Sequence, residues 1–275
     1  MRNDRLLFRI SLRKRKLTVP ALRLVWQEAG VNASNSTVRR RLSAAGLNGH
    51  VAVKKPLLTA RHRQLRLEFA RRHEHWSWVD WSCVLFTDES KFNMFQNDGR
   101  VYIRRRAGEK FRDNCVIPTV KFGGGGVMVW GAMTYRGTGM LTRVDGRLNG
   151  TGYVNILENF AVPSAHLLGY GDNYWLQDDN APCHRARLVK NWKEDNGIRC
   201  LEWPPRSPDL NPIENLWWDV KCGLRNRLSR NMGELEANVV TSWDAIPRER
   251  CSQLVRGMPN RIQAVIEAHG GHTKY

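Results

Sequence analysis

Acidic side chains stand at three places where the sequence pattern changes from a strand to a loop or into a helix. Asp88 closes the apolar run "SCVLFTDE", and the adjacent pair Asp178 and Asp179 closes "NYWLQDD". Glu214 lies at the start of a helical stretch, "PIENLWWDVKCGLRNRL". Functional groups collect at such ends because a rigid frame holds the loops there. Clustered carboxylate oxygens favour Mg²⁺, and two such ions about 3.5 to 4 Å apart serve phosphodiester chemistry.

Each acid also has a purely structural interpretation. Asp88 fits an ordinary turn acid, and either of the adjacent aspartates fits an Asx turn. Glu214 fits the third helical position behind an Asn211 N-cap, where a glutamate supports the start of a helix. Taken singly, each acid is better explained in this way. Taken together, on the order of elements given next and beside a basic helical module, the set favours catalysis.

The elements that would position these acids alternate along the second part of the chain. Three strand candidates, punctuated by glycines, come first: "SCVLFTDE", "GVMVWGAMT" and "GMLTRVDG". A helix, a strand, a helix, a strand and a helix follow: "YVNILENFAVPSAHLL", "NYWLQD", "RARLVKNWKEDNG", "IRCLEW" and "PIENLWWDVKCGLRNRL". This order predicts an α/β domain whose mixed sheet is flanked by helices, in an RNase H-like arrangement.

The positive charge of the chain is concentrated in its first part. The net charge is +18, and residues 1–75 hold 18 Lys or Arg against 4 Asp or Glu, a balance of 18 − 4 = +14. The other 200 residues hold 26 against 22, a balance of 26 − 22 = +4. This concentration favours a polyanionic partner, because each phosphate that is neutralised releases condensed counterions. A basic surface that only keeps the protein in solution is the alternative.

Residues 1–50 are predicted to form three short helices, and the third, "NASNSTVRRRLSAAG", is the most informative. Val38 and Leu42 form an apolar i, i+4 pair on one side of it, and Ser34 is a good N-cap. The pattern fits a helix-turn-helix whose second helix enters the major groove, although small bundles of other kinds share it. The predicted DNA contacts in this module are Ser34, Asn35, Ser36, Arg39 and Arg40.

Three segments follow from the shifts in composition: an all-α helix-turn-helix domain at 1–50, a basic linker and helix at 51–75, and a catalytic domain at 76–275. Apolar stretches such as "VMVWGAM" are far shorter than the roughly 20 residues that a bilayer requires, so no membrane partner is expected. Six cysteines lie far apart with no CxxC pair, which suggests neither a zinc site nor a disulfide framework. A reducing interior is the expected compartment.

Several motifs together carry a family resemblance over essentially the whole chain: "VLFTDESKF", "IPTVKFGGGGVMVWG", "LQDDNAPCHRA" and "LEWPPRSPDLNPIENLWWDVK". With these motifs the chain resembles the DDE transposases of the Tc/mariner superfamily, in the Tc branch. In that branch 34 residues separate the second catalytic aspartate from the glutamate. The count 214 − 179 − 1 = 34 selects Asp179 over Asp178. Strand alternation agrees that the two side chains point in different directions.

The resemblance implies a nuclear enzyme that moves a DNA element by cutting and pasting. Asp88, Asp179 and Glu214 would hold two Mg²⁺ or Mn²⁺ ions, which serve both phosphodiester hydrolysis and strand transfer to a TA target. The implied partner is double-stranded DNA, namely the terminal inverted repeats of the element, bound by a homodimer. No small-molecule substrate is expected.

The resemblance also bears on two regions outside the triad. An insert at about 95–126 corresponds to the region where relatives form a loop that clamps a second subunit. Its Arg104, Arg105 and Arg106 are candidate DNA contacts, with a solvated basic strand as the alternative. Relatives carry two helix-turn-helix units, whereas residues 1–50 leave room for the second only. We therefore expect the chain to lack the first N-terminal helix-turn-helix.

Two other functions compete with an active transposase. A truncated or domesticated copy would act only as a DNA-binding protein, and inverted repeats flanking the gene would discriminate against this alternative. Another RNase H-like nuclease, such as a junction resolvase, fits the carboxylates but not the N-terminal module.

Overall fold

The structure, a computed structural model, describes residues 2–52, 55–94, 124–224 and 229–275, and between these ranges the single positions 106, 108, 112, 115 and 227. The chain divides into two compact units, Met1–Lys55 and Pro56–Tyr275. Within the described part, no helix has the length and apolar composition that crossing a membrane would need.

The first unit consists of three helices, α1 (Arg2–Arg13), α2 (Val19–Glu28) and α3 (Asn35–Ala44). Ser34 caps α3, because its Oγ accepts a hydrogen bond from the backbone N–H of Thr37 at 3.1 Å. Apolar side chains at helical spacing close a core between the three helices: Leu7, Leu22, Trp26, Val38 and Leu42. The unit is therefore a complete small bundle with its own hydrophobic centre.

The second unit contains a four-stranded sheet and nine described helices. The strands are β1 (Val84–Asn93), β2 (Gly126–Thr134), β3 (Gly137–Val144) and β4 (Trp175–Gln177). The helices are α4 (Ala60–Arg72), α5 (Trp78–Ser82), α6 (Gly150–Ile156), α7 (Val162–Leu167), α8 (Arg187–Asp195), α9 (Ile213–Leu224), α10 (Met232–Asp244), α11 (Arg248–Arg256) and α12 (Met258–Glu267). A π-helical turn, Leu157–Ala161, joins α6 to α7, and a 3-10 turn, Pro208–Leu210, precedes α9.

The sheet is mixed, with the strand order β3-β2-β1-β4. β1 pairs antiparallel with β2, which pairs antiparallel with β3, while β4 lies parallel to β1 with Gln177 opposite Phe86. Two clusters of buried side chains cover its two faces. Successive residues of β1 alternate between these clusters, since Phe86 belongs to one and Leu85 to the other. The predicted α/β class with a mixed sheet and flanking helices is confirmed.

One predicted segment has a different structure from the one expected, and another lies almost entirely outside the described residues. The predicted strand "IRCLEW" contributes only an isolated bridge, in which Cys200 lies opposite Leu176. Pro204 and Pro205 follow at once and have no backbone N–H to donate, so pairing cannot continue. The predicted insert at about 95–126 lies almost entirely outside the described residues.

A buried ion pair joins three distant parts of the second unit. Arg66 of α4 donates from both terminal nitrogens to the carboxylate of Asp209, at 2.7 Å each, and both side chains are buried. The same guanidinium donates to the carbonyl oxygens of Gly270 and Gly271, at 3.1 and 3.0 Å, and Thr273 donates to Asp209 at 2.8 Å. The pair therefore fixes the turn before α9 between α4 and the segment 270–273.

Replacing Arg66 by Met should destabilise the protein strongly, because the buried carboxylate of Asp209 would lose its bidentate guanidinium partner. The loss of one partner of a buried pair costs about 3 to 5 kcal/mol in the free energy of unfolding. Urea unfolding of the full chain measures it. Arg72→Ala is the matched control on the same helix, since its pair with Glu202 is exposed and should be worth less than about 1 kcal/mol. Similar losses in the two variants would contradict the assignment.

Candidate active site

The three predicted acids line one cavity of about 450 Å³ in the second unit. Asp88 comes from β1, Asp179 from the turn after β4, and Glu214 from the first turn of α9. The rest of the wall comes from the turn 203–208 and from His62, Asn180, Ala181 and Asn211. Side chains separated by up to 126 residues (214 − 88) therefore share one water-accessible space.

The parallel pairing of β1 and β4 places two of these acids at corresponding levels. Thr87 strengthens this pairing, because its Oγ1 donates to the carbonyl of Gln177 at 2.8 Å. Asn211 ties the turn before α9 to the same point, since its Nδ2 donates to the carbonyl of Thr87 at 3.1 Å. Strand register and two side-chain hydrogen bonds thus hold the three segments that carry the acids.

A glycine lets α9 approach the sheet beside Asp88. Gly131 lies opposite Asp88 in β2, and a Cβ at Gly131 would lie 2.7 Å from Cη2 of Trp217. Because glycine leaves that space open, the indole of Trp217 covers the strand and its Nε1 donates to Asp88 at 3.1 Å. The close packing therefore orients one oxygen of the Asp88 carboxylate.

The negative charges of Asp88 and Glu214 are not balanced by a salt bridge within the described part of the chain. Among the described residues, no Lys or Arg forms a salt bridge with any of the three acids. Burial, followed by repulsion from Glu214 and Glu89, holds the pKa of Asp88 well above its usual value. Burial also raises the pKa of Glu214, against a smaller opposite effect of Lys221. The carboxylate of Glu214 accepts no hydrogen bond from the described residues, which argues against a helix-capping role.

The two adjacent aspartates have different surroundings. Asp178 does not line the cavity: its Oδ2 accepts a hydrogen bond from Tyr153 at 2.9 Å and forms an ion pair with Lys193. Tyr153 and Lys193 are both buried, and Tyr153 belongs to the core on the α6 and α8 side of the sheet. Asp179 lines the cavity. Both aspartates follow the end of β4 at Gln177, so their different partners distinguish them.

His184 also contacts acids of this group, although no spacing in the sequence indicates this role. Its Nδ1 lies 2.9 Å from Oδ1 of Asp179, and its Nε2 lies 3.3 Å from Oε1 of Glu89. Its ring packs on Tyr153 with 3.9 Å between the centroids. Burial acts against protonation, but the hydrogen bonds with Asp179 and Glu89 outweigh it and raise the pKa of His184 to about 10. The histidine is thus a buried cation that bridges two carboxylates.

His184 and one backbone amide leave one oxygen of Asp179 open. Oδ1 of Asp179 is bound both by His184 and by the backbone N–H of Ala181, at 2.7 Å from the latter. Although burial acts in the opposite direction, these hydrogen bonds lower the pKa of Asp179 below its usual value. Oδ2 accepts no hydrogen bond within the described part of the chain. Asp179 is therefore ionised and offers one oxygen to a further ligand.

The acids suit a divalent cation by their chemistry, but they are not a preformed three-ligand cage. In the described ranges, no three His, Cys, Asp or Glu side chains lie close enough to hold one ion as they stand. Mg²⁺ commonly takes only one or two carboxylates and completes its shell with water and substrate phosphates. A cation would also relieve the repulsion that raises the pKa of Asp88. Asp88, Asp179 and Glu214 therefore fit such ions if each ion is held by one or two of the acids and by water or phosphate.

The predicted DNA contacts of the first unit lie on the surface of α3 or at its start. Asn35, Ser36, Arg39 and Arg40 are exposed, while the Oγ of Ser34 is already used as the N-cap. In the second unit Arg106 is exposed, and Arg104 and Arg105 lie outside the described residues. The structure therefore leaves four side chains of α3 accessible to a groove.

Two protein families match separate regions of the chain. Residues 83–236 match the family described as DDE superfamily endonuclease, and residues 4–75 match a helix-turn-helix family described as transposase. The chain is 41% identical over 242 residues to the Tcb1 transposase of Caenorhabditis briggsae, with 88% of each chain covered. The chain thus combines a DNA-binding module with a DDE nuclease.

Solved structures show the same fold at low sequence identity. The Mos1 transposase paired-end complex with left transposon end superposes with a TM-score of 0.83 at 18% identity, over 98% of this chain and 80% of that one. The Mos1 catalytic domain solved with Raltegravir and Mg superposes with a TM-score of 0.63 at 16% identity, over 80% of this chain and 100% of that one. The predicted RNase H-like fold behind a helical domain is confirmed.

The chain belongs to the Tc1/mariner family of DDE transposases. The expectation that the chain lacks the first N-terminal helix-turn-helix is wrong, because an N-terminal region, residues 4–75, matches a helix-turn-helix transposase family. The physical reason is visible in the first unit, whose three helices close a hydrophobic core of their own. The matched region also runs past that unit and includes α4, which packs in the second unit.

Removing the charge of Asp88 should stabilise the metal-free protein at high pH. The raised pKa values of Asp88 and Glu214 mean that the folded protein keeps protons that the unfolded chain has released, so stability falls as pH rises above about 4. Asp88→Asn should therefore melt roughly 2 to 4 °C above wild type at pH 8. The difference should shrink as the pH falls toward about 4.

Asp178→Asn provides the matched control for this experiment, measured by thermal unfolding with a chelator present. It removes the partner of the buried Lys193, so its melting temperature should fall at pH 8. A lower melting temperature for Asp88→Asn, in place of the expected rise, would show that Asp88 is not destabilised by its neighbours.

Proposed function

We propose that this transposase hydrolyses DNA phosphodiester bonds at the ends of an element and joins the freed 3′ ends to target DNA, with Asp88, Asp179 and Glu214 as its catalytic residues. One observation carries the proposal: acids from three separate elements line a single cavity, and no Lys or Arg of the described residues forms a salt bridge with them. Asp88 and Glu214 therefore lack a salt-bridged cationic partner within the described ranges, and such acids in a cavity indicate a functional site because their mutual repulsion lowers the stability of the fold.

The ligands in the proposal are two Mg²⁺ or Mn²⁺ ions held by the three acids. When bound, such ions activate an attacking oxygen and stabilise the leaving one. The donor set supports this choice, since carboxylate oxygens are the ligands that these hard cations prefer. The Mos1 catalytic domain, of the same fold, was solved with Mg.

The surrounding side chains hold the acids in place for this chemistry. Trp217 fixes one oxygen of Asp88, and His184 with the Ala181 amide fixes one oxygen of Asp179. Because a carboxylate is planar and rigid, fixing one oxygen also restricts the position of the second oxygen. Because water and then a DNA 3′ hydroxyl are the proposed nucleophiles, no side chain needs to form a covalent intermediate.

The proposed substrate is double-stranded DNA bearing the terminal inverted repeats, with a TA dinucleotide as target. The α3 side chains Asn35, Ser36, Arg39 and Arg40, with Ser34 at the helix start and Arg104–Arg106 in the insert, are the proposed DNA contacts. The exposure of the α3 side chains supports their part of this assignment. We also propose a homodimer on DNA, in line with the paired-end complex of Mos1, and a nuclear location.

Changing Asp88 or Asp179 to Asn, or Glu214 to Gln, should reduce Mn²⁺-dependent DNA cleavage by at least roughly 100-fold, because each change removes a charged oxygen ligand. Cleavage of supercoiled plasmid by the full chain measures the effect. Asp178→Asn is the matched control: assayed at a temperature where it is folded, it should retain cleavage. Retained cleavage in the triad variants would refute the proposal, and binding without any cleavage in wild type would favour a protein that only binds DNA.

Changing His184 to Ala should weaken Mn²⁺ binding by roughly 10- to 100-fold, as loss of a group that orients a metal ligand does. Its physical cause is that Asp179 would lose one of the two donors that fix its Oδ1. Calorimetric titration of the chain with Mn²⁺ measures this without any cleavage. Cys183→Ala is the neighbouring control and should bind as wild type does, whereas unchanged affinity in His184→Ala would argue against the positioning role.

A further inference from the structure

A residue in the cavity wall has a backbone conformation that non-glycine residues rarely adopt. Among the described residues, two non-glycine residues have a positive φ, Arg206 at 56° and His269 at 47°. His269 follows the end of α12, and its N–H closes the last turn on Ile266 at 2.9 Å, so ending the helix accounts for it. Arg206 ends no helix and lies in the turn that lines the cavity with the triad.

The surroundings of Arg206 hold this conformation. Buried Arg66 donates to the Arg206 carbonyl at 3.4 Å and to Oγ of Ser207 at 2.8 Å. Two prolines with fixed φ precede Arg206, and Asn180 donates to the carbonyl of Trp203 at 2.7 Å at the start of the turn. A strained conformation persists only where its neighbours over-determine it, and such places cluster at functional sites. The fold therefore maintains the strain through the Arg66–Asp209 pair.

The side chain of Arg206 makes none of the contacts that the other arginines near it make. It is exposed and lines the same cavity as three carboxylates, yet its guanidinium forms no salt bridge or hydrogen bond with any described residue. Arg66 and Arg261, by contrast, are buried and bonded to Asp209. The backbone of Arg206 is held in place, and its guanidinium is available to bind an anion at the proposed DNA-cleaving site.

We propose that Arg206 binds a backbone phosphate of the DNA next to the bond that is cut, and so orients the strand in the carboxylate cavity. The inference rests on the proposed function, whose substrate is DNA. A guanidinium presents a planar fork that matches phosphate oxygens, and its charge offsets the repulsion between the acids and the DNA backbone. Arg206 is then a substrate-contacting residue, separate from the helix-turn-helix and from the metal ligands.

The test compares full-length wild type with Arg206→Ala, Arg206→Lys and Arg206→Gly. Arg248→Ala is the control, because Arg248 is exposed on α11 and does not line the cavity. Binding to a random-sequence duplex is measured over a series of salt concentrations, and Mn²⁺-dependent nicking of supercoiled plasmid is measured in parallel. Thermal unfolding shows whether each variant is folded and how the turn contributes to stability.

Arg206→Ala should lower the slope of log affinity against log salt by about 1, the value of one phosphate contact. Nicking should fall by about 10- to 100-fold, as for a lost hydrogen bond to a charged group. Arg206→Lys should recover the slope but only part of the nicking, because an ammonium lacks the fork. Arg206→Gly should lose both, yet melt roughly 2 to 4 °C above Arg206→Ala, because glycine tolerates the positive φ.

A wild-type slope and nicking rate in Arg206→Ala would overturn the inference, and so would an equal loss in Arg248→Ala. Failure of the proposed function is distinguishable from this outcome: wild type itself would then show no nicking with Mn²⁺. In that case the salt series still decides whether Arg206 contacts a phosphate, since that measurement does not depend on cleavage.

Discussion

Repulsion between carboxylates that share one cavity is the constraint on which the rest of the site depends. Burial and the neighbouring acids hold the pKa of Asp88 above its usual value, and no described Lys or Arg forms a salt bridge with the triad. The frame tolerates this repulsion because the strand register and the bonds of Thr87 and Asn211 fix the segments that carry the acids. A divalent cation bound between the carboxylates would attract each of them and offset their mutual repulsion.

The two adjacent aspartates that follow β4 have different partners. Asp178 is neutralised by Lys193 beside Tyr153, on the core side of the sheet. Asp179, one residue later, points to the cavity and keeps an oxygen available. His184 packs on Tyr153 and bonds to Asp179. Tyr153 therefore contacts Asp178 directly and supports Asp179 through His184.

Local patterns predict the four strands of the mixed sheet and the ends where the acids lie, because alternation and turn residues are local signals, but they also predict a strand at "IRCLEW" that forms only one bridge. The resemblance to the Tc branch, in which 34 residues separate the second aspartate from the glutamate, selects Asp179 over Asp178. Contacts between residues far apart in sequence were beyond such patterns: His184 meets Glu89 across 95 residues, and Arg66 meets Asp209 across 143. The positive φ of Arg206 was equally invisible, since its carbonyl is contacted by Arg66, 140 residues away in the sequence.

The most direct test of the central claim is anomalous diffraction from a crystal of the full chain soaked with Mn²⁺. The shared-site account predicts an anomalous peak in the cavity, within about 2 to 2.5 Å of a carboxylate oxygen of Asp88 and of at least one other triad acid. A crystal with Mn²⁺ bound elsewhere and no peak between Asp88, Asp179 and Glu214 would contradict it.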